Sequence, residues 1–176
     1  MKIKFFAWVM MFSLVLLPGC AWFMNQDPDA ESRRVSAEGF SIVPPKGWTV
    51  SEAGEGTLMI WLDEVKDDFR ANFNVNVTEG DSTTVEQLGP VVKEMFAKQF
   101  DKWQAMDEGF TEFAGEKGYF LSSRFSMQGY DIRNLQYYIY GKHNRFYVLT
   151  FTALNSNYGS YQESFKRAAA SVKLLD

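Results

Sequence analysis

The chain separates into short stretches of alternating apolar and polar residues and two longer stretches of helical spacing. The cleanest alternation covers residues 72–78. Phe73, Val75 and Val77 fall on one side there, and Asn72, Asn74, Asn76 and Thr78 on the other. A period of two is the mark of a half-buried strand. The same pattern returns at 119–127 (Tyr119, Leu121, Phe125, Met127), at 132–140 (Leu135, Tyr137, Ile139) and at 146–154 (Tyr147, Leu149, Phe151, Ala153). Gln128-Gly129 and residues 141–144 supply turn chemistry between them. Residues 106–113 give a weaker strand, so four strands are predicted in meander order. Residues 57–62 are almost continuously apolar, which predicts a strand covered on both faces. Residues 40–43 and 48–50 flank Pro44-Pro45-Lys46-Gly47 and predict a hairpin with a longer turn.

Two helices interrupt the strands. In the first, Val85, Leu88, Val92, Met95, Phe96, Phe100 and Trp103 share one face. Thr83 with Glu86 predicts a capping box at its start, and Gly89-Pro90 predicts a kink or a short first turn. The second is predicted to begin near Ser160, with Glu163 completing a capping box and Tyr161, Phe165, Ala168 and Val172 as its buried stripe. Strands, helix, strands, helix is an α+β order: a twisted antiparallel β-sheet packed with two main helices.

The N-terminus has a different character. Lys2 and Lys4 precede an apolar run at 5–17, broken only by Ser13, and Pro18-Gly19-Cys20 follows. Charge, a short greasy segment and a small residue before a cut are the parts of a secretory signal. The run falls short of the roughly twenty apolar residues of a spanning helix. Leu17-Pro18-Gly19-Cys20 resembles a bacterial lipobox. The resemblance implies cleavage before Cys20 and diacylglyceryl attachment to its thiol. One acyl chain gives only marginal membrane binding, and two or three give a lasting anchor. Residues 1–19 are thus expected to be a lipoprotein signal peptide, 20–37 a lipidated cysteine with a flexible tether, and 38–176 a single domain. Where a cell has two membranes, Ala21 in place of Asp after the cysteine favours the outer one, facing the periplasm.

Composition narrows the function. Cys20 is the only cysteine, so the domain has no disulfide and no thiol for catalysis. The formal net charge is −4, and Arg33-Arg34 and Lys166-Arg167 are the only adjacent basic pairs, far apart in the chain, so no clustered positive face for nucleic acid is visible. His143 is the one histidine and lies in a predicted turn, which excludes a multi-histidine zinc site and leaves an exposed structural residue. The acidic run at 63–68 reads as a solvated loop rather than a calcium site, since it lacks the EF-hand pattern. Gly54 and Gly56 lack the lysine and the strand-to-helix setting of a phosphate loop. Asn72, Asn74 and Asn76 form either the wet face of a sheet or a ladder for a glycan or peptide. Tyr138 and Tyr140 line either a groove or the underside of a helix, and Met95 and Met106 are expected as core fillers. No catalytic constellation, metal site or cofactor site stands out.

The order of elements over about 39–175 resembles the PsbP-like superfamily. The stretches carrying it are 40–48, 72–78, the helix at 83–100 and the end at 161–174, with Phe165, Ala168 and Ser171-Val172. That group includes the PsbP subunit of photosystem II, the Mog-type Ran-binding protein and the DcrB-type envelope lipoproteins; a lipidated chain is most similar to the last. The resemblance implies a PsbP-like α/β/α sandwich and an accessory role. The expectation is a non-enzymatic, lipid-anchored envelope protein that binds a protein partner or supports assembly, held to the membrane through its anchor. The alternative is a carrier or sensor of a small apolar ligand bound between sheet and helix.

Overall fold

The computed structural model describes residues 33–175, apart from Glu38, Glu52, Glu55, Gly56, Asp81, Ser82 and Ala114. The expected signal peptide, the lipobox-like residues Leu17, Pro18, Gly19 and Cys20, and Ala21 lie outside the described residues. No helix among the described residues is long and apolar enough to cross a membrane.

Strands β3 (Thr49–Ser51), β4 (Thr57–Lys66), β5 (Phe69–Glu79), β6 (Asp101–Phe113), β7 (Glu116–Met127), β8 (Tyr130–Tyr140) and β9 (Arg145–Leu154) form one antiparallel sheet. Its order is β3-β4-β5-β9-β8-β7-β6. Helix α1 (Val85–Gln99) packs on one face and helix α2 (Tyr158–Ala170) on the other. The alternation in β9 builds both layers. Tyr147, Leu149, Phe151 and Ala153 meet α2, and Phe146 and Val148 meet α1. Tight hairpin turns set the register. Asp67-Asp68 and Gln128-Gly129 are two-residue turns with positive φ, the geometry that matches strand twist, and the longer β8–β9 turn has positive φ at His143 and Asn144.

The core on the α2 side is a pile of rings. Trp61 stacks on Phe73 at 4.9 Å, Phe73 on Phe151 at 4.4 Å, and Phe151 meets Phe165 at 5.0 Å. Rings at these distances are in contact, and burying each contributes roughly 1.5–3 kcal/mol. On the α1 side, Val85, Leu88, Val92 and Phe96 cover Tyr119, Leu121, Tyr138 and Val148.

Several expectations are corrected. The hairpin across Pro44-Pro45-Lys46-Gly47 does not form. Residues 40–42 are strand β2 (Phe40–Ile42), which pairs with β1 (Val35–Ala37) and β10 (Lys173–Leu174) in a separate small sheet, whereas β3 pairs with β4. Strand β1 occupies residues assigned to the tether, and the Arg34 guanidinium donates to the Ser171 carbonyl at 2.8 Å. Only Ile60 and Trp61 of β4 are buried, because β3 beyond it is three residues long. Helix α1 is capped by Thr84 rather than Thr83: its N–H donates to Gln87 Oε1 at 2.9 Å, and Gln87 takes the place expected of Glu86. It runs on through Pro90. Helix α2 starts two residues before Ser160, after Asn157. Trp103 belongs to β6, not to α1.

Candidate functional site

The residues singled out by sequence do not converge on one place. His143 is exposed in the β8–β9 turn. Tyr138 and Tyr140 lie under α1, and Met95 packs beside them half-buried. Gly54 is exposed before β4, and Gly56 is outside the described residues. Among the described residues, no group of three or more His, Cys, Asp or Glu is placed to hold a metal ion.

The acidic run at 63–68 is not a loop. It is the end of β4 and the Asp67-Asp68 turn. Asp63 sits inside a small polar cluster. Tyr161 donates to Asp63 Oδ2 at 2.6 Å, and Lys66 donates to the same oxygen at 3.0 Å and to the Tyr161 hydroxyl at 3.2 Å. Burial alone would raise the Asp63 carboxyl, but these hydrogen bonds outweigh it and hold it below its ordinary value. A depressed carboxylate stabilises the fold fully above the ordinary carboxylate range and loses that contribution as pH falls through the folded value. Acid titration below about pH 4 should therefore destabilise the native protein more steeply than Asp63→Asn. Parallel curves would show that the cluster contributes nothing.

On the α1 side of the sheet, a band of uncharged polar side chains crosses four strands. One row reads Ser123, Asn134, Thr152, Asn72, and the next Gln136, Thr150, Asn74, ending against apolar Leu121 on β7. The asparagine ladder is half-buried rather than simply wet. Asn76 Nδ2 donates to Asn74 Oδ1 at 3.0 Å, and the Thr57 hydroxyl to Asn76 Oδ1 at 2.7 Å. Deeper in, Tyr138 donates to Gln136 Oε1 at 3.1 Å, Gln136 Nε2 to Thr150 Oγ1 at 3.2 Å, and Ser123 to Asn134 Oδ1 at 2.6 Å. Thr152 is 0% exposed, and its hydroxyl has no partner. An unpaired buried hydroxyl costs stability, and valine keeps its shape without the cost. Thr152→Val is expected to leave stability unchanged or raise it by about 1 kcal/mol in urea denaturation; a loss of that size would show that the hydroxyl is satisfied.

The site that stands apart is the edge strand β6. It has 13 residues, pairs with β7 alone, and is exposed along most of its length. The opposite edge, β3, has only three residues. Met106 is 44% exposed, so it is no core filler, and Phe110 is 54% exposed. Phe110 is held in place from below: Tyr119 meets its ring edge-on at 6.0 Å, and Lys117 Nζ lies 4.5 Å from its centroid. Lys93 reaches Glu108 at 2.6 Å and ties α1 to the strand, while the Tyr119 hydroxyl donates to the same carboxylate. Lys93 and Tyr119 hold Glu108 below its ordinary value. The register with β7 shifts twice, between Asp101 and Gln104 and between Ala105 and Asp107, then runs unbroken to Phe113. Bulges and charges are how long edge strands avoid indiscriminate pairing. Sequence reading did not mark this edge, although Asp107, Glu108 and Glu112 in an otherwise strand-like run are its signal.

A profile of the PsbP family matches residues 31–174, a span that holds every strand and helix described above. The chain belongs to the PsbP family. Solved structures agree with that fold. The cyanobacterial PsbP of Synechocystis sp. PCC 6803 superposes with a TM-score of 0.62 at 18% identity, covering 80% of this chain and 91% of its own. LpqN of Mycobacterium tuberculosis, described as involved in cell envelope biogenesis, gives 0.63 at 10% identity over 78% of this chain and 83% of its own. The Ran-binding protein Mog1p of Saccharomyces cerevisiae gives 0.58 at 11% identity over 78% and 91%. No curated protein sequence matches the chain significantly. The PsbP fold thus puts two helices around an antiparallel sheet and, in this member, leaves β6 open.

Proposed function

We propose that this PsbP-family chain is a lipid-anchored cell-envelope protein, close in type to the DcrB-like lipoproteins, whose domain is a non-enzymatic protein-binding or assembly module. The observation that carries the reading is the open edge of β6, with Met106 and Phe110 exposed beside it. Unpaired backbone N–H and C=O groups along a strand are a template for another chain. Family likeness supports it: LpqN is described as involved in envelope biogenesis and Mog1p as Ran-binding. Cys20, after a secretory signal, supplies the anchor, with Ala21 favouring an outer membrane and a periplasmic domain. A carrier would need room between sheet and helix, and on the α2 side stacked rings occupy that layer.

The test has two arms. Cys20→Ala is expected to release the protein from washed membranes; continued partitioning would overturn the anchor. Crosslinking of native membranes is expected to give a partner adduct, and Met106→Lys with Phe110→Lys, both exposed and so tolerable to the fold, is expected to abolish it. An adduct unchanged in the variant would remove β6 as the contact.

A further inference from the structure

We infer that residues 107–113 of β6 take an extended basic segment of a partner protein as an added antiparallel strand, with the partner pattern Lys/Arg-x-apolar-x-x-Lys/Arg. This rests on β6 being the docking edge and names the chemistry of what docks.

The stretch is set by register. The pairing with β7 is continuous from Asp107 opposite Ser122 to Phe113 opposite Glu116, and both shifts lie before it. Only an unbulged segment offers its partner a regular ladder. Antiparallel addition is the more stable and more frequent pairing.

The charge follows from the neighbours. Glu108 is already matched by Lys93, and Lys117 by Glu86. Asp107 and Glu112 make no ion pair among the described residues; Lys117 lies across from Glu112 on β7 but is drawn to Glu86. Glu112 and Phe110 share the α1-side face with Glu108, and Asp107 lies on the other face with Gly109 and Thr111. At Gly109, a Cβ would come within 2.9 Å of the Phe120 ring, so this position stays bare and the backbone is uncovered at the middle of the stretch. An antiparallel strand therefore meets Glu112 first, Phe110 two residues later, and Asp107 three residues after that. Opposite charges directly across a ladder stabilise it and like charges oppose it.

The most symmetric pairing with a second copy is disfavoured by charge. Two-fold pairing centred on Phe110 sets Glu108 against Glu112 of the copy, twice over. In that register the edge opposes itself, whereas a basic chain meets opposite charge.

The test uses the full chain in detergent and two threonine-rich eight-residue peptides. One has lysine at its second and seventh positions and valine at its fourth; the other replaces both lysines with glutamate. The lysine peptide is expected to bind, to shift the backbone amide resonances of 107–113 and not those of β3, and to weaken as salt is raised. Asp107→Lys with Glu112→Lys should weaken it by roughly tenfold and let the glutamate peptide bind instead. Equal binding of both peptides would overturn the basic-partner claim while leaving the edge in place. Equal binding of a lysine peptide with scrambled spacing would overturn the pattern. If neither peptide moves the β6 amides, strand addition itself is wrong.

Discussion

Phe151→Ala is expected to lower the unfolding free energy by about 3–5 kcal/mol. Phe151 is fully buried on the central strand β9 and touches three rings. Phe73 lies on one side at 4.4 Å, Phe165 of α2 at 5.0 Å, and Tyr137 meets it edge-on at 6.2 Å. Removing it costs the transfer free energy of the ring and leaves a cavity. The sheet cannot collapse into that space, because each neighbour is itself pinned: Phe73 by Trp61, and Phe165 by Trp48, Tyr158 and Tyr161. Urea denaturation at constant m-value reads the effect. A loss below about 1 kcal/mol would mean that the stack is loosely packed, with room for the apolar ligand of the carrier reading.

Phe96→Ala is expected to cost a comparable amount on the opposite face. Phe96 is 2% exposed and packs α1 onto the sheet, in contact with Phe100 and Trp103, where the helix hands over to β6. Its loss should also loosen the start of β6, read as faster amide exchange at 101–105 than at 107–113. The latter stretch keeps its own register with β7 and the Lys93–Glu108 tie. Phe151 and Phe96 share no ring partner and belong to separate clusters. The double variant should therefore lose the sum of the single losses to within about 0.5 kcal/mol. A shortfall would show that the two layers communicate through the sheet.

The parts of the fold that were legible are those whose pattern is local. Strands β5, β7, β8 and β9 show their period of two, and each buries residues that the alternation selects, with Val77 and Met127 only half-buried. The stripes of α1 and α2 are equally plain, which made the α+β sandwich readable. What failed was set by distant partners or by a break in phase. The segment at 40–42 is strand-like, and one of its partners, β10, lies at the far end of the chain, where no local turn signal could reveal it; the other, β1, is local, and Gly39 before β2, with positive φ, is a turn signal that the sequence does carry. Phe100 and Trp103 continue the helical spacing past the last helical residue. Lys102 with φ 53° and the first register shift change the period there, and periodicity alone cannot see that change. The second shift carries Met106 to an exposed position that simple alternation would have buried.

The open edge proposed for docking was hidden for the same reason. A strand's sequence shows which side chains face the core, not whether a neighbour lies on both flanks. Only the strand order reveals that β6 ends the sheet while β3, at the other end, is too short to accept much. The acidic residues then take on a second meaning. They solvate the strand, they oppose its pairing with a copy centred on Phe110, and under the proposal they select the charge of what pairs with it.

The most direct test of β6 as the docking edge is a photocrosslinking residue placed at Phe110 and, separately, at Val50 on the short edge. Both positions are exposed. The experiment uses the anchored protein in intact membranes. A discrete adduct from position 110 and none from position 50 is the predicted result. No adduct from position 110, or the same adduct from both edges, would contradict the account.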